Sequence, residues 1–538
     1  MMRRILQLTP RSKPFFNTFK VNKINSSKIF FSIIGGFFLT ASFPSMGICQ
    51  LAWIALVPMI ILIKNQSCKN NFYVGFLTGF VHYITLIYWL PGTLMTYGNV
   101  PVFFSIPLLI LLSAYLAAYM GIFAAVLGWL RPSPVISIIF CPALWVFLEY
   151  VRSFFFTGFP WELIGYSQFN NLNIIQISDI FGVYGVSFLV ILSNLSASLI
   201  ILYFKGSSWY GKKTALKSAA LPAMVFVLIF SGTWYYGKQR LKTIDKLSNT
   251  ADSINIALIQ GNIDQTIKWD KAYQRSTLEK YIRLSESVKK DNPDLIIWPE
   301  TAAPFYMQHN KELSTILMNG ICDIGTDFII GAPSFMLKNK RVKYFNSAYL
   351  INKKGDIQGK YDKSHLVPFG EYIPFSKCFP FLNKIVEGAG DFHHGRKGVV
   401  THWNKCKLAI LICYEIIFPQ LAGAMSNNNA SLIINITNDA WYGRSSAPFQ
   451  HFSMAIFRAV ENRRSLVRAA NTGISGFVGP GGRILAKTDI FKKAAVTCQV
   501  PLMHDKSFYS RYGYILIVAC FGVVLIFSAL CMYNKKRE

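Results

Sequence analysis

Seven apolar stretches lie between residues 29 and 237, at about 29–45, 50–64, 72–91, 102–130, 135–155, 175–203 and 218–236, and an eighth at 513–533 nears the end of the chain. A helix needs about 20 apolar residues to cross a bilayer core, and in lipid the segment must satisfy its own backbone polar groups. Such blocks fold as membrane spans, so a single soluble domain is excluded. With 52% of 538 residues hydrophobic, the chain is too apolar for an ordinary soluble enzyme. The stretch at 50–64 is short for a crossing.

Charge orients the spans. Arg3, Arg4, Arg11, Lys13, Lys20, Lys23 and Lys28 precede the first stretch with no acid among them. Basic residues recur in alternate loops at Lys64 and Lys69, at Arg131, and at Lys205, Lys212, Lys213 and Lys217, then in the tail at Lys535, Lys536 and Arg537. The loop 92–101 has none. Eight spans with both termini in the cytoplasm satisfy the positive-inside rule. The expected organisation is a basic cytoplasmic N-terminus (1–28), a seven-helix membrane domain (29–237), an outer domain (238–512), a last span (513–533) and a cytoplasmic tail (534–538). The N-terminus has no cleavable signal pattern and reads as a signal anchor. The net charge of +29 flanks apolar segments instead of forming a stripe beside exposed aromatics, which argues against nucleic acid as a partner.

The outer domain alternates strands (253–262, 293–300, 327–335, 344–352, 407–415, 430–439, and the closing stretches 465–480 and 483–488) with helices (270–290, 311–321, 447–463), a layered α/β pattern with buried sheets. Within it "LAILICYEIIFP" (408–419) sets Cys413 and Glu415 at the end of an apolar strand. A carboxylate is almost never buried unless paired. Glu300 follows the strand "LIIWP", and Lys363 and Glu371 lie in "KYDKSHLVPFGEYIP". Singly, each also fits an exposed charge or a loop anchor. Together they make an acyl-transfer site without histidine: a thiol nucleophile, a carboxylate to take its proton, and an ammonium for the oxyanion. His393 and His394 lack a second ligand pair, so no metal is expected. Cys322, Cys378, Cys406 and Cys498 are candidates for pairing that spacing alone does not decide.

The ordered Glu–Lys–Cys set resembles the nitrilase (carbon–nitrogen hydrolase) superfamily, which implies an α-β-β-α sandwich. "QGNIDQTIKWD", "IIWPETAAP", "KSHLVPFGEYIPF", "ICYEIIFP", "TNDAWYG" and "HFSMAIFRAVENRRSLVRAANTGIS", with "ALWVFLEYVRSFFFTGFPWELIGYSQ" and "GVYGVSFL" in the apolar half, resemble its membrane branch, the apolipoprotein N-acyltransferases. The likeness covers nearly the whole chain. It implies Glu300 as general base, Lys363 as oxyanion stabiliser, Cys413 as nucleophile, Glu371 as a second glutamate holding Lys363, and Trp269, Tyr414 and Glu415 as required neighbours. It implies no cofactor, a glycerophospholipid acyl donor, a diacylglyceryl apolipoprotein acceptor, and a bacterial inner membrane with the catalytic domain on the periplasmic side. A membrane-anchored amidase using the same triad, or a non-catalytic scaffold, stays open as an alternative. In the apolar half, Glu149 and Arg152 are spaced for an i,i+3 ion pair, Glu162 lies close by, and Asp179 is an ionisable group expected to make a functional contact. Residues 376–398, with Gly388, Gly390 and Gly395, are a candidate lid.

Overall fold

The computed structural model describes residues 26–98, 100–338, 340–373 and 392–537. The basic segment before Ser26, Cys378, and Gly388 and Gly390 of the candidate lid lie outside the described residues.

The apolar half contains α1 (Ser26–Ala41), α2 (Val57–Ile63), α3 (Cys68–Leu86), α4 (Leu90–Gly98), α5 (Val102–Leu130), α6 (Pro134–Arg152), the short α7 (Leu172–Ile175) and α8 (Ser178–Phe181), α9 (Val183–Phe204) and α10 (Leu216–Thr250). A small ribbon of β1 (Ser208–Trp209) and β2 (Lys212–Lys213) joins α9 to α10. Side-chain caps start α3 and α6, where Ser67 and Ser133 accept from backbone N–H groups three residues on. Small residues bring helices together: a Cβ on Gly75 of "GFLTG" would meet the Met120 carbonyl oxygen of α5 at 2.4 Å.

Five helices of the described residues are long and apolar enough to cross a membrane: α5, α6, α9, α10 and the C-terminal α16 (Ile515–Arg537). A sixth crossing results if α3 and α4, bent by 48°, count as one span. The first two expected spans form shorter apolar helices, Ser26–Ala41 and Cys49–Ile63. The seventh runs on to Thr250, so the expected boundary at 237 falls inside a continuous helix.

The C-terminal half has two six-stranded sheets. One comprises β3 (Ser253–Gln260), β4 (Leu295–Ile297), β5 (Asp327–Lys338), β6 (Arg341–Ile351), β7 (Ile357–Asp362) and β14 (Ala494–Pro501) in the order β14-β3-β4-β5-β6-β7. The other comprises β8 (Thr401–His402), β9 (Lys407–Ile412), β10 (Leu432–Thr437), β11 (Ser465–Ala470), β12 (Gly476–Val478) and β13 (Ile484–Lys487) in the order β13-β12-β11-β10-β9-β8. Strand periodicity separates the layers. In β3, Ala257 and Ile259 face one core together with Leu278 and Tyr281 of α11 (Lys271–Ser287) and Leu317 of α12 (Lys311–Ile324). The alternate residues Ile256 and Leu258 join the core shared with Leu408, Ile410 and Ile433 of the second sheet. On the second sheet's side lie α13 (Pro419–Asn427) and α14 (Ala447–Asn462), which completes an α-β-β-α sandwich; α15 (Phe508–Tyr512) leads into α16.

The two halves meet on α14, which is buried along its whole length except at Phe449. Gln450 donates to the carbonyls of Pro44 and Leu86, at 3.2 and 3.1 Å. Its own Oε1 accepts from the indoles of Trp89 and Trp161 at 3.3 and 2.8 Å. One side chain thus ties the sheet-bearing half to three parts of the apolar half.

Candidate active site

β9 is a buried parallel strand beside β10, and the chain turns sharply where it ends. Cys413 has φ +52°, left-handed for a residue with a Cβ, a strain of about 1–2 kcal/mol that the surroundings must hold. Glu415, two residues on, holds it. Its carboxylate, fully buried, accepts from Ile412 N (2.8 Å) at the strand end and from Ser364 N (2.7 Å), Ser364 Oγ (2.7 Å), His365 N (2.9 Å) and Tyr361 Oη (3.0 Å). One glutamate therefore clamps the turn carrying Cys413 to the loop carrying Lys363.

Lys363 projects from that loop with 1% of its side chain exposed. Its Nζ is 2.8 Å from Glu371 Oε2 and 3.8 Å from Glu300 Oε1. Burial opposes the charge, but Glu371 and Glu300 outweigh it and raise the ammonium pKa. Asn346 Nδ2 donates to both Glu300 Oε1 and Glu371 Oε1 at 2.8 Å, and Asn438 N donates to Glu300 Oε2 at 2.9 Å. Gly331 of β5 lets the strand pass directly beneath Glu300, whose Cα would lie 2.7 Å from a Cβ there. Cys413 feels both Glu300 and Lys363: burial pushes its thiol up to about 12, Glu300 adds to this, and Lys363 opposes it. The resting sulfur is thus a neutral thiol.

Residues 35–196 match the family model described as apolipoprotein N-acyltransferase N-terminal domain, and residues 255–504 match that of carbon–nitrogen hydrolase. An apolipoprotein N-acyltransferase of Geobacter metallireducens is 41% identical over 506 residues, covering 94% of this chain and 95% of its own. The chain belongs to the apolipoprotein N-acyltransferase family. Another apolipoprotein N-acyltransferase, from Rickettsia prowazekii, is 33% identical over 502 residues, 92% of this chain and 95% of its own. Among solved structures, an amidase from Nesterenkonia sp. aligns at 20% identity over 46% of this chain and 90% of its own, with a TM-score of 0.35.

The chain carries both matched regions, and side chains of both meet beside Cys413 and its turn. Trp89 and Trp161, from the apolar half, pack 5.2 Å apart and lie 4.9 and 5.8 Å from Tyr442, in the turn that follows β10. They form a buried aromatic wall where the two halves meet. Tyr414 Oη donates to the carbonyl of Gly158 at 3.4 Å, tying the Cys413 turn to the loop after α6. Trp269 is 48% exposed, on the loop that leads into α11.

Sequence reasoning passed over three residues at the N-acyltransferase site. Asn346 bridges the two glutamates, and Asn438 carries the N–H on Glu300. Lys268 is buried and donates to the Glu300 carbonyl oxygen at 3.1 Å. The available signal was polarity out of place: an amide inside "YFNSAY", and a lysine beside an exposed tryptophan.

In the N-acyltransferase's apolar half, partners differ from those expected. Among the described residues no ion pair joins Glu149 to Arg152. Glu149 Oε1 accepts from Ile164 N at 2.8 Å, and Arg152 donates to the Tyr83 hydroxyl. The helix end is buried, so each group takes a partner from another segment. Glu162 Oε1 accepts from Ser453 Oγ of α14 at 3.0 Å. Asp179 lies at the junction of the halves, 2.8 Å from Arg463 Nη2 and from Arg240 Nε, with Tyr236 Oη donating at 2.8 Å. Its contact joins domains. Of the candidate lid, Phe392 pairs with Tyr344, and Gly395 N donates to the Lys363 carbonyl at 2.7 Å. Cys322, Cys406 and Cys498 are free thiols.

Proposed function

We propose that the protein transfers a fatty acyl group from a glycerophospholipid to the N-terminal α-amine of an S-diacylglyceryl-cysteine apolipoprotein. Cys413 gives its proton to Glu300 and attacks the donor ester carbonyl. The oxyanion forms beside the Lys363 ammonium and the Tyr414 N–H. Collapse expels the lysophospholipid alkoxide, which takes the proton from Glu300, and a thioester remains on Cys413. The acceptor amine then attacks the thioester and passes a proton to Glu300. The amide leaves, and the Cys413 thiolate recovers that proton. Glu371 holds Lys363 charged throughout, Glu415 fixes the turn, and Tyr414 and Trp269 line the approach.

The observation that carries this reading is a thiol–carboxylate–ammonium site walled by aromatic side chains of an apolar helical half. A soluble hydrolase has no use for such a wall, whereas each acyl CH₂ kept out of water is worth about 0.8 kcal/mol. A dry wall also protects a thioester from hydrolysis. The charge pattern supports eight crossings, with the two short apolar helices and the bent α3–α4 pair each counted as one, both termini cytoplasmic, and 238–512 on the periplasmic side of the inner membrane, framed by 29–237 and 513–533.

Intact mass spectrometry after exposure to phospholipid tests the reading. One fatty acyl adduct, lost on hydroxylamine treatment and absent in Cys413→Ala, is the expected result, followed by its discharge onto a diacylglyceryl peptide. Ammonia release from small amides with no acyl adduct would favour the amidase instead.

A further inference from the structure

Two carboxylates, Glu300 and Glu371, flank the buried Lys363, the one cation that the roles proposed above use. A buried site of that composition carries a net negative charge, which opposes forming a thiolate in the same space. A second cation is present. The loop 261–270 after β3 turns Gln265 and Lys268 inward, 8% and 1% exposed, and Ile267 and Trp269 outward, 37% and 48% exposed. Lys268 Nζ donates to the backbone carbonyl of Glu300, not to a carboxylate. Its charge therefore stays unneutralised by direct pairing and acts on Glu300 and Cys413 together.

We infer that Lys268 is a positioning residue that supplies a second cation to the site, so that the Cys413 proton moves onto Glu300 with Lys363 and Lys268 both facing the charge that passes to sulfur. The charge of Glu300 becomes that of the Cys413 sulfur, while Glu371 stays paired with Lys363. The inference rests on the roles proposed for Glu300 and Cys413.

The groups that act on Lys268 are Glu300 and Cys413, both of which favour its charge; burial outweighs them and brings its pKa down to about 8. The acids of its own loop are engaged elsewhere, Asp264 with Thr266 and Asp270 with Ala272 N. The sign follows: the cation is present at pH 7 and fades above pH 8.

The test is the rate of iodoacetamide alkylation of the Cys413 peptide, read by mass spectrometry from about pH 6 to 9.5 on the full-length protein in detergent, with Cys413→Ala as control. It needs neither acyl donor nor acceptor, so it can fail while the transfer reading stands. Lys268→Gln keeps a donor for the Glu300 carbonyl without the charge, and Lys268→Met keeps neither. Both are expected to be about tenfold slower at about pH 6.5, a shift of about one pKa unit, with the gap to wild type closing above about pH 9. Lys268→Arg should recover most of the loss. A Lys268→Gln rate equal to wild type, a deficit independent of pH, or an Arg variant as slow as Gln would overturn the inference. Should the neutral variants fail to fold, the wild-type profile decides: a flattening near pH 8 supports the inference, and its absence refutes it.

Discussion

Replacing Glu415 by Gln probes why a carboxylate follows Cys413 so closely. Oε1 accepts from Ser364 N, Ser364 Oγ and His365 N, while Oε2 accepts from Ile412 N, with Tyr361 Oη shared between them at 3.0 and 3.1 Å. A glutamine must put an NH₂ where one oxygen was. On the Oε1 side it would confront two backbone N–H groups, so it settles on the Oε2 side and faces only Ile412 N. A hydroxyl can rotate to accept; that N–H cannot. The cost is one charge-assisted hydrogen bond and a buried orphan donor, about 2–3 kcal/mol. On a domain of roughly 250 residues, about 2 kcal/mol lowers the melting temperature by about 4–8 °C. The lost bond is also the one that pins the strand end before the left-handed Cys413. Acyl-enzyme formation should therefore fall at least about tenfold, which corresponds to about 1.4 kcal/mol of barrier. Thermal unfolding in detergent and a time course of acyl adduct by intact mass measure the two effects. A Gln variant that melts with wild type and acylates at the wild-type rate would refute the clamp, as would a lower melting temperature with unchanged acylation.

Two further outcomes are expected. Asp179→Asn strips the carboxylate from Arg463, whose side chain is 3% exposed; breaking a buried pair on one side costs about 3–5 kcal/mol, and limited proteolysis should release the catalytic half from the apolar half, whereas unchanged protease resistance would show that the junction does not depend on this pair. His365, its pKa brought down to about 4 by burial and by Lys397 and Lys363, contributes stability that is complete above its unfolded pKa of about 6.5 and is lost as pH falls through 4. Melting temperature should drop between about pH 7 and pH 5, and His365→Gln should flatten that drop; equal slopes for the two proteins would count against it.

What was legible in the sequence, and what was not, follows from how many partners each segment has. The strands of both sheets read clearly because "IALIQ", "LIIWP" and "LAILI" are apolar on both faces, as strands covered on two sides must be. The polar residues at their ends stood out for the same reason, which is how Glu300 and Cys413 came into view. β14 was passed over: Thr497 and Gln499 interrupt it, and it is half-exposed at the sheet edge beside β3. α10 beyond 237 was hidden too, because its polar continuation shows no break where the apolar run stops. The harder case is α14. Gln450, Ser453, Arg458, Glu461 and Asn462 give it the look of a helix with one face in water, yet all are buried. Each is matched across the seam or within its own half: Gln450 to Trp161, Ser453 to Glu162, Arg458 to Tyr166, Glu461 to Val183 N, and Asn462 to the Arg458 carbonyl. Hydrophobic periodicity reports whether a face meets water or an apolar partner. It cannot register a polar face satisfied by a second body, and the seam that packs Trp89 and Trp161 against Tyr442 is built from such a face.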